Sequence, residues 1–298
     1  MRLLTIVFNY LGLTLLYILA SIPLSWAHKF GDFLGWLACH LPIERRRVVD
    51  TNLKLCFKDL SDIERSHLAR KHWKLLGRSI AERGYLWLGS ERSIRKMVQI
   101  ESEIDPSDGK PRLYVGMHML GIEAGLIGLS LFLRDKNVKD PITVYVRMKN
   151  AFFDMHIKHW RERFGAKMVL RLKNSISLLR EIRKGSFVLL SPDMDLGIED
   201  SVFVPFFGVQ TCTVSSISRL AQLGGSEVCP VVTTLNPDGL SYTCKIGAAW
   251  TNFPSNDLIA DTTRMNAFFE AQIRPRPAEY YWVHKRFKNR PKGESKVY

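Results

Sequence analysis

Arg112-Leu113-Tyr114-Val115-Gly116-Met117-His118-Met119-Leu120-Gly121-Ile122-Glu123-Ala124-Gly125 is the stretch on which the fold turns. Its apolar run at 113–117 reads as a buried strand, and the periodic apolar residues at 122–133 read as a helix. His118 falls between them, with Glu123 in the first turn of the helix. A histidine with a carboxylate nearby is the minimum equipment for taking a proton from a hydroxyl. On one helix, residues five apart would stand about 140° from each other and could not easily share a substrate. Across a strand-to-helix junction they can meet. In open α/β sheets such junctions, at the carboxyl ends of strands, are where ligands bind.

The same alternation continues outward in both directions. Strands are expected at 97–100, 142–146, 167–170, 187–191, 202–206, 228–234 and 242–246. Helices are expected at 152–164, 175–183, 214–223, 262–274 and 279–287. Upstream, 44–57 reads as helical. Ser61-Asp62-Ile63-Glu64 is a capping box opening a helix that runs to about residue 88. The pattern predicts an α/β fold with a mixed, mainly parallel sheet flanked by helices. Asn236-Pro237-Asp238-Gly239 marks a turn between two strands, so one pair should be an antiparallel hairpin. Repeats, low-complexity tracts and long linkers are absent from the sequence. A single domain over 28–298, with a helical subregion at about 44–90, is the simplest organisation.

Residues 3–27 carry no charged side chain and are rich in Leu, Ile, Phe and Tyr. About 20 such residues suffice to cross the hydrocarbon core of a bilayer. A cleaved signal peptide is the competing reading, because Ser25-Trp26-Ala27 resembles a small-residue cleavage site. The apolar stretch exceeds an ordinary signal core, however, which favours a retained membrane helix over 1–27. Pro23 should bend or end it. Lys29 and Arg45–Arg47 follow closely and favour a cytoplasmic body.

Lys and Arg outnumber Asp and Glu by 43 to 29 across 298 residues, a net charge of +14. Such a balance calls for an anionic partner: nucleic acid, an acidic protein or a phosphate-bearing membrane surface. The sequence holds no RNA-binding aromatic–glycine signature and no zinc-finger spacing, so nucleic acid is not expected. Five widely spaced cysteines, without a C-x-x-C pair, argue against a disulfide framework and against zinc. No metal and no cofactor are expected.

Further candidates sit at other strand ends. Arg147 closes Val144-Tyr145-Val146-Arg147 and is placed to clamp a phosphate or an oxyanion, with a salt bridge to a neighbouring helix as the alternative. Asn150 and Asp154 follow it. Asp193 and Asp195 lie in Ser191-Pro192-Asp193-Met194-Asp195-Leu196-Gly197. Their D-x-D spacing suits Mg²⁺ but is unspecific, and Asp193 is expected to organise the loop or to hold a basic side chain. The run Val204-Pro205-Phe206-Phe207-Gly208 is core or the wall of an acyl pocket. The tail Tyr281-Trp282-Val283-His284-Lys285-Arg286-Phe287-Lys288 is an amphipathic closing helix, or a contact for lipid headgroups or an acidic carrier.

Taken in this order, these blocks resemble the lipid A biosynthesis acyltransferases, late-acting members of the lysophospholipid-acyltransferase-like group. The H-x(4)-D/E element, His118 to Glu123, is shared with glycerolipid acyltransferases. The Phe206-Phe207-Gly208 block and the Trp282–Lys288 ending are particular to the lipid A branch. Arg161 with Phe164-Gly165-Ala166 also matches, whereas Leu235-Asn236 stands where relatives often carry an arginine. The resemblance implies O-acylation of a phosphorylated glycolipid acceptor, with acyl carrier protein thioester as donor, at the cytoplasmic face of a bacterial inner membrane. It implies His118 as base and Glu123 as its orienting partner. Arg147, Asn150, Arg161, Asp193 and Asp195 are then candidates for substrate binding. Alternatives are acylation of lysophosphatidic acid or another lysolipid, hydrolysis if water replaces the acceptor, and a non-catalytic membrane-anchored binding module.

Overall fold

The computed structural model describes residues 2–138, 141–170 and 175–298. In chain order its elements are α1 (Arg2–Ser21), α2 (Leu24–His40), α3 (Glu44–Cys56), α4 (Asp62–Ala81), α5 (Arg83–Leu88), α6 (Glu91–Met97), β1 (Val98–Ser102), β2 (Arg112–Val115), α7 (Ile122–Asp135) and β3 (Ile142–Tyr145). They continue with α8 (Ala151–Glu162), β4 (Lys167–Leu170), α9 (Ser175–Arg183), β5 (Val188–Leu190), β6 (Ser201–Phe206), β7 (Val209–Val214), α10 (Ser216–Gly224), β8 (Glu227–Leu235), β9 (Tyr242–Ile246) and α11 (Leu258–Ile273). A 3-10 turn at Pro277–Glu279 leads into the carboxyl-terminal segment.

β2, the strand of the opening stretch, is buried at every position and sits mid-sheet. The seven-stranded order is β1-β9-β8-β2-β5-β3-β4. Every neighbouring pair is parallel except β8–β9, the hairpin turned by Asn236–Gly239. The mixed, mainly parallel sheet flanked by helices is therefore the observed architecture. Alternation along β2 divides the core between two faces. Leu113 and Val115 join Val188, Val228, Ile217 and Phe269 on one side. Tyr114 joins Leu189, Cys229, Ile127 and Leu131 on the other.

The amino-terminal apolar stretch is two helices rather than one. α1 ends at Ser21, and α2 begins after Pro23, whose ring cannot continue the helical ladder. Leu4–Ser21 is long and apolar enough to cross a membrane, with a mean hydropathy of 1.8. Its side chains are nearly all outside the protein core: Leu4, Phe8, Leu11 and Ile18 are exposed. α2 instead packs on α4, where Gly31, Gly35 and Gly77 bring the two backbones together. A Cβ on Gly31 would lie 2.7 Å from the Gly77 carbonyl.

The capping box forms as expected: Ser61 Oγ accepts from the Glu64 amide, and Glu64 Oε2 accepts from the Ser61 amide. The helix it opens stops at Ala81 rather than near 88, and α5 resumes at Arg83. Between them, the buried Glu82 carboxylate accepts from Tyr242 Oη at 2.7 Å and pairs with His28 Nε2 at 3.1 Å. The strand expected at 202–206 stands outside the main sheet, paired with β7 in an antiparallel hairpin. Phe206 pairs with Val209, so Phe207-Gly208 is a two-residue loop. Both residues have positive φ, 50° and 72°, as a type I′ turn demands. That geometry gives the Phe-Phe-Gly block a local structural reason.

The helix expected at 279–287 does not form. Its backbone groups bond to other elements instead: Asn52 Nδ2 donates to the carbonyls of Trp282 and His284, and Arg45 Nη1 donates to that of Val283. The segment is an irregular strap whose Trp282, Arg286 and Phe287 are wholly enclosed.

Candidate active site

β2 and β5 are parallel neighbours, with Val115 opposite Leu190. His118 and Asp193 each lie three residues beyond that pair, so the two loops arrive side by side. His118 Nδ1 stands 2.6 Å from Asp193 Oδ1, and the His118 amide donates to Oδ2 at 2.9 Å. Asp193 is wholly buried, while the His118 side chain is 28% exposed. Burial alone would raise the Asp193 pKa. The charge of His118 and the hydrogen bonds from its ring and amide more than offset this, holding the carboxyl at about 2. An ionised carboxylate only accepts, so Nδ1 is the donor in this bond and Nε2 is the ring nitrogen left without a partner among the described residues.

The carboxyl-terminal strap locks both loops. The Tyr281 amide donates to the His118 carbonyl, and the Leu120 amide donates to that of Glu279. Asn289 bonds both oxygens of Asp195, through its amide at 2.7 Å and Nδ2 at 2.6 Å. The Asp195 amide donates to His284 Nε2 at 2.9 Å. Burial, then the charge of Arg286, depresses the His284 pKa to about 4, so the ring is a neutral acceptor. Asp195 thus fastens the loop to the strap.

Glu123 occupies the first turn of α7, as expected, but among the described residues it makes no hydrogen bond to His118. Trp87 Nε1 of α5 donates to its Oε1 at 2.6 Å, and Arg161 Nε of α8 donates to the same oxygen at 2.8 Å. Arg161 Nη2 donates to Oε2. Burial pushes the Glu123 carboxyl up, but the charge and hydrogen bonds of Arg161 outweigh it and leave the pKa lowered. This buried pair ties α7 to α8 and α5. The carboxylate that bonds His118 is Asp193 rather than Glu123, and Arg161 is engaged by a protein carboxylate.

Arg147 is well exposed, its Nε 3.8 Å from Asp154. Asn150 is the N-cap of α8, accepting from the Phe152 and Phe153 amides. Its Nδ2 donates to Asn9 Oδ1 of α1 at 2.7 Å. Tyr10 and Phe152 meet at 5.6 Å between ring centroids. The apolar α1 therefore lies directly on α8, the helix that carries Arg161. Among the described residues no cluster of three or more His, Cys, Asp or Glu could hold a metal ion.

Sequence reasoning alone does not place Asp193, Trp87 and His284 beside their partners. The equal offset of 118 and 193 from two strand ends is a usable signal for the first. Using it requires knowing that those two strands are neighbours.

The fold and the pair define a class: an α/β protein with an apolar amino-terminal helix and a histidine–carboxylate pair at the carboxyl edge of its sheet. Within that class, the chain belongs to the bacterial lipid A biosynthesis acyltransferases, whose family model matches residues 1–289. It is 30% identical to the lipid A biosynthesis lauroyltransferase of Escherichia coli K12, over 96% of this chain and 92% of that protein. A lipid A biosynthesis acyltransferase of Haemophilus influenzae is 31% identical, over 95% of this chain and 90% of the relative. The E. coli K12 lipid A biosynthesis palmitoleoyltransferase is 26% identical, over 97% and 94%.

Proposed function

We propose that this chain transfers a fatty acyl group from acyl carrier protein to the hydroxyl of a 3-hydroxyacyl chain on a phosphorylated lipid A precursor. The carrying observation is the His118–Asp193 pair, which leaves Nε2 unpartnered among the described residues on a partly exposed ring. Nε2 takes the hydroxyl proton as the oxygen attacks the thioester carbonyl. The new C–O bond forms, the C–S bond breaks, and the imidazolium returns its proton to the departing thiolate. Asp193 fixes the tautomer and balances the charge on the imidazolium. The Glu123–Arg161 pair holds α7, and with it the loop that carries His118.

Membership of the family and the names of its relatives support a lipid A precursor as acceptor. α1 supports a site at the membrane, since it packs on the helices that surround Glu123. The basic surface suits both a phosphorylated lipid and an acidic carrier protein, with the body on the cytoplasmic face.

The test is incubation of the purified full chain with defined acyl carrier thioesters and a tetra-acylated, Kdo-bearing precursor, with product masses recorded. One added acyl chain is expected. His118→Ala should remain folded and membrane-bound yet lose transfer by about 10²–10⁴-fold or more. Wild-type turnover in His118→Ala would remove His118 from the mechanism. Acylation of lysophosphatidic acid in preference to the precursor would replace the acceptor.

A further inference from the structure

Arg83 opens α5 beside the Glu123 cluster, and it is left over there. Its Nε is buried without a partner, and among the described residues the guanidinium has no hydrogen-bond acceptor and no carboxylate at ion-pair distance. The group lies 5.7 Å from the centroid of the Trp87 ring, the same Trp87 that donates to Glu123. Its charge reaches Glu123 and helps hold that carboxylate ionised. Both Glu123 oxygens are already taken by Arg161 and Trp87. Arg83 is thus left beside a carboxylate that is bonded to another guanidinium, without an ion-pair partner of its own among the described residues.

A buried or half-buried cation without an anion is costly unless something supplies the anion. The planar guanidinium matches a phosphate in a two-point grip. Its position suggests the source. Next to it, Gly84 lets α1 lean on α5: a Cβ there would lie 2.5 Å from the Leu16 carbonyl and 3.0 Å from the Ala20 amide. Arg83 therefore stands where the apolar helix meets the body, next to the helix turn that follows the His118 loop.

Resting on the acyl transfer proposed above, we propose that Arg83 binds a phosphate of the lipid acceptor and selects phosphorylated over dephosphorylated acceptors. The phosphate oxygen takes the place that no protein acceptor fills, and the acceptor's hydroxyl-bearing chain is thereby oriented toward His118.

The experiment compares the full chain with Arg83→Gln and Arg83→Lys in mixed vesicles, using phosphorylated acceptor and the same lipid after phosphatase treatment. The preference in kcat/KM for the phosphorylated acceptor should fall by about 10–100-fold in Arg83→Gln, carried mainly by KM, with partial recovery in Arg83→Lys. An equal loss on both acceptors would make Arg83 a brace for Glu123 and overturn the proposal. So would a loss that follows the phosphatidylglycerol content of the vesicle rather than the acceptor's phosphate, because bilayer headgroups would then be the anion. Equilibrium binding of phosphorylated acceptor, without donor, decides the role of Arg83 separately from turnover. Weaker binding in Arg83→Gln supports it even if the wild type proves to be no acyltransferase, and unchanged binding rejects it.

Discussion

Asp193 receives His118 twice, its Oδ1 facing Nδ1 at 2.6 Å and its Oδ2 accepting the main-chain amide at 2.9 Å. A carboxamide in its place cannot reproduce this. With its oxygen turned to the ring, its NH₂ would face the His118 N–H. Turned the other way, its NH₂ would donate to Nδ1 and move the ring proton to Nε2. Asp193→Asn should therefore keep the fold but lower transfer by about 10²–10⁴-fold, measured as single-turnover product formation beside a circular dichroism control. Turnover near that of the wild type would remove Asp193 from the chemistry.

Glu123 and Arg161 predict a different phenotype. Glu123→Gln leaves Arg161 facing a neutral group in a buried site, so stability should fall by about 3 kcal/mol, read as a lower melting temperature in detergent. Glu123→Gln combined with Arg161→Gln removes both charges and should cost less than the sum of the single changes, by about 1–3 kcal/mol. A Glu123 that oriented His118 directly would behave otherwise. Its Gln variant would lose rate, melt like the wild type and show no coupling to Arg161.

How far this could be seen in advance follows from the range of each interaction. β4 and β9 were legible to the residue, and Ser61 as a cap, because alternation, turn residues and capping are encoded within a few positions. The order of strands is not local. Pairing of β2 with β5 rather than β3 puts Asp193, 75 residues away, on His118, while Glu123 turns to a guanidinium on α8. The tail misled for a related reason. Val283 and Phe287 have helical spacing, but Asn52 and Arg45 supply the donors that a helix would have used. Tertiary partners overrode periodicity there. Pro23 shows the reverse: a single residue with a local mechanism ended α1 as its chemistry requires.

The α2–α4 crossing depends on the absence of a side chain at Gly77. A Cβ there would overlap the Gly31 carbonyl, which is backbone and cannot swing aside. Gly77→Leu should force the helices apart, with a loss of about 3 kcal/mol or more and a marked fall in folded yield. Lys74→Ala, on the exposed side of α4, should stay within about 0.5 kcal/mol of the wild type. Equal melting temperatures for Gly77→Leu and the wild type would mean that the two helices do not cross this closely.

Acid should weaken the protein above the pH at which ordinary carboxylates are protonated. His72 is fully buried, with Nδ1 3.1 Å from the Ala278 carbonyl and Nε2 without a partner. Burial depresses its pKa to about 4, only partly opposed by the Ala278 bond, and His284 is depressed to about 4 as well. In the unfolded chain both titrate near 6.5. Between these values the unfolded state binds protons that the folded state refuses. The stability supplied by neutral burial is therefore complete above about pH 6.5 and declines as pH falls toward 4, by up to about 1.4 kcal/mol per pH unit for each histidine. Asp193, held near 2, adds its own loss only below about pH 4, outside this window. Urea midpoints at pH 7 and pH 5 read the slope directly. His72→Gln removes one of the two groups and should reduce the difference between those midpoints by about half, whereas an undiminished slope would show that His72 is not among the residues that set it.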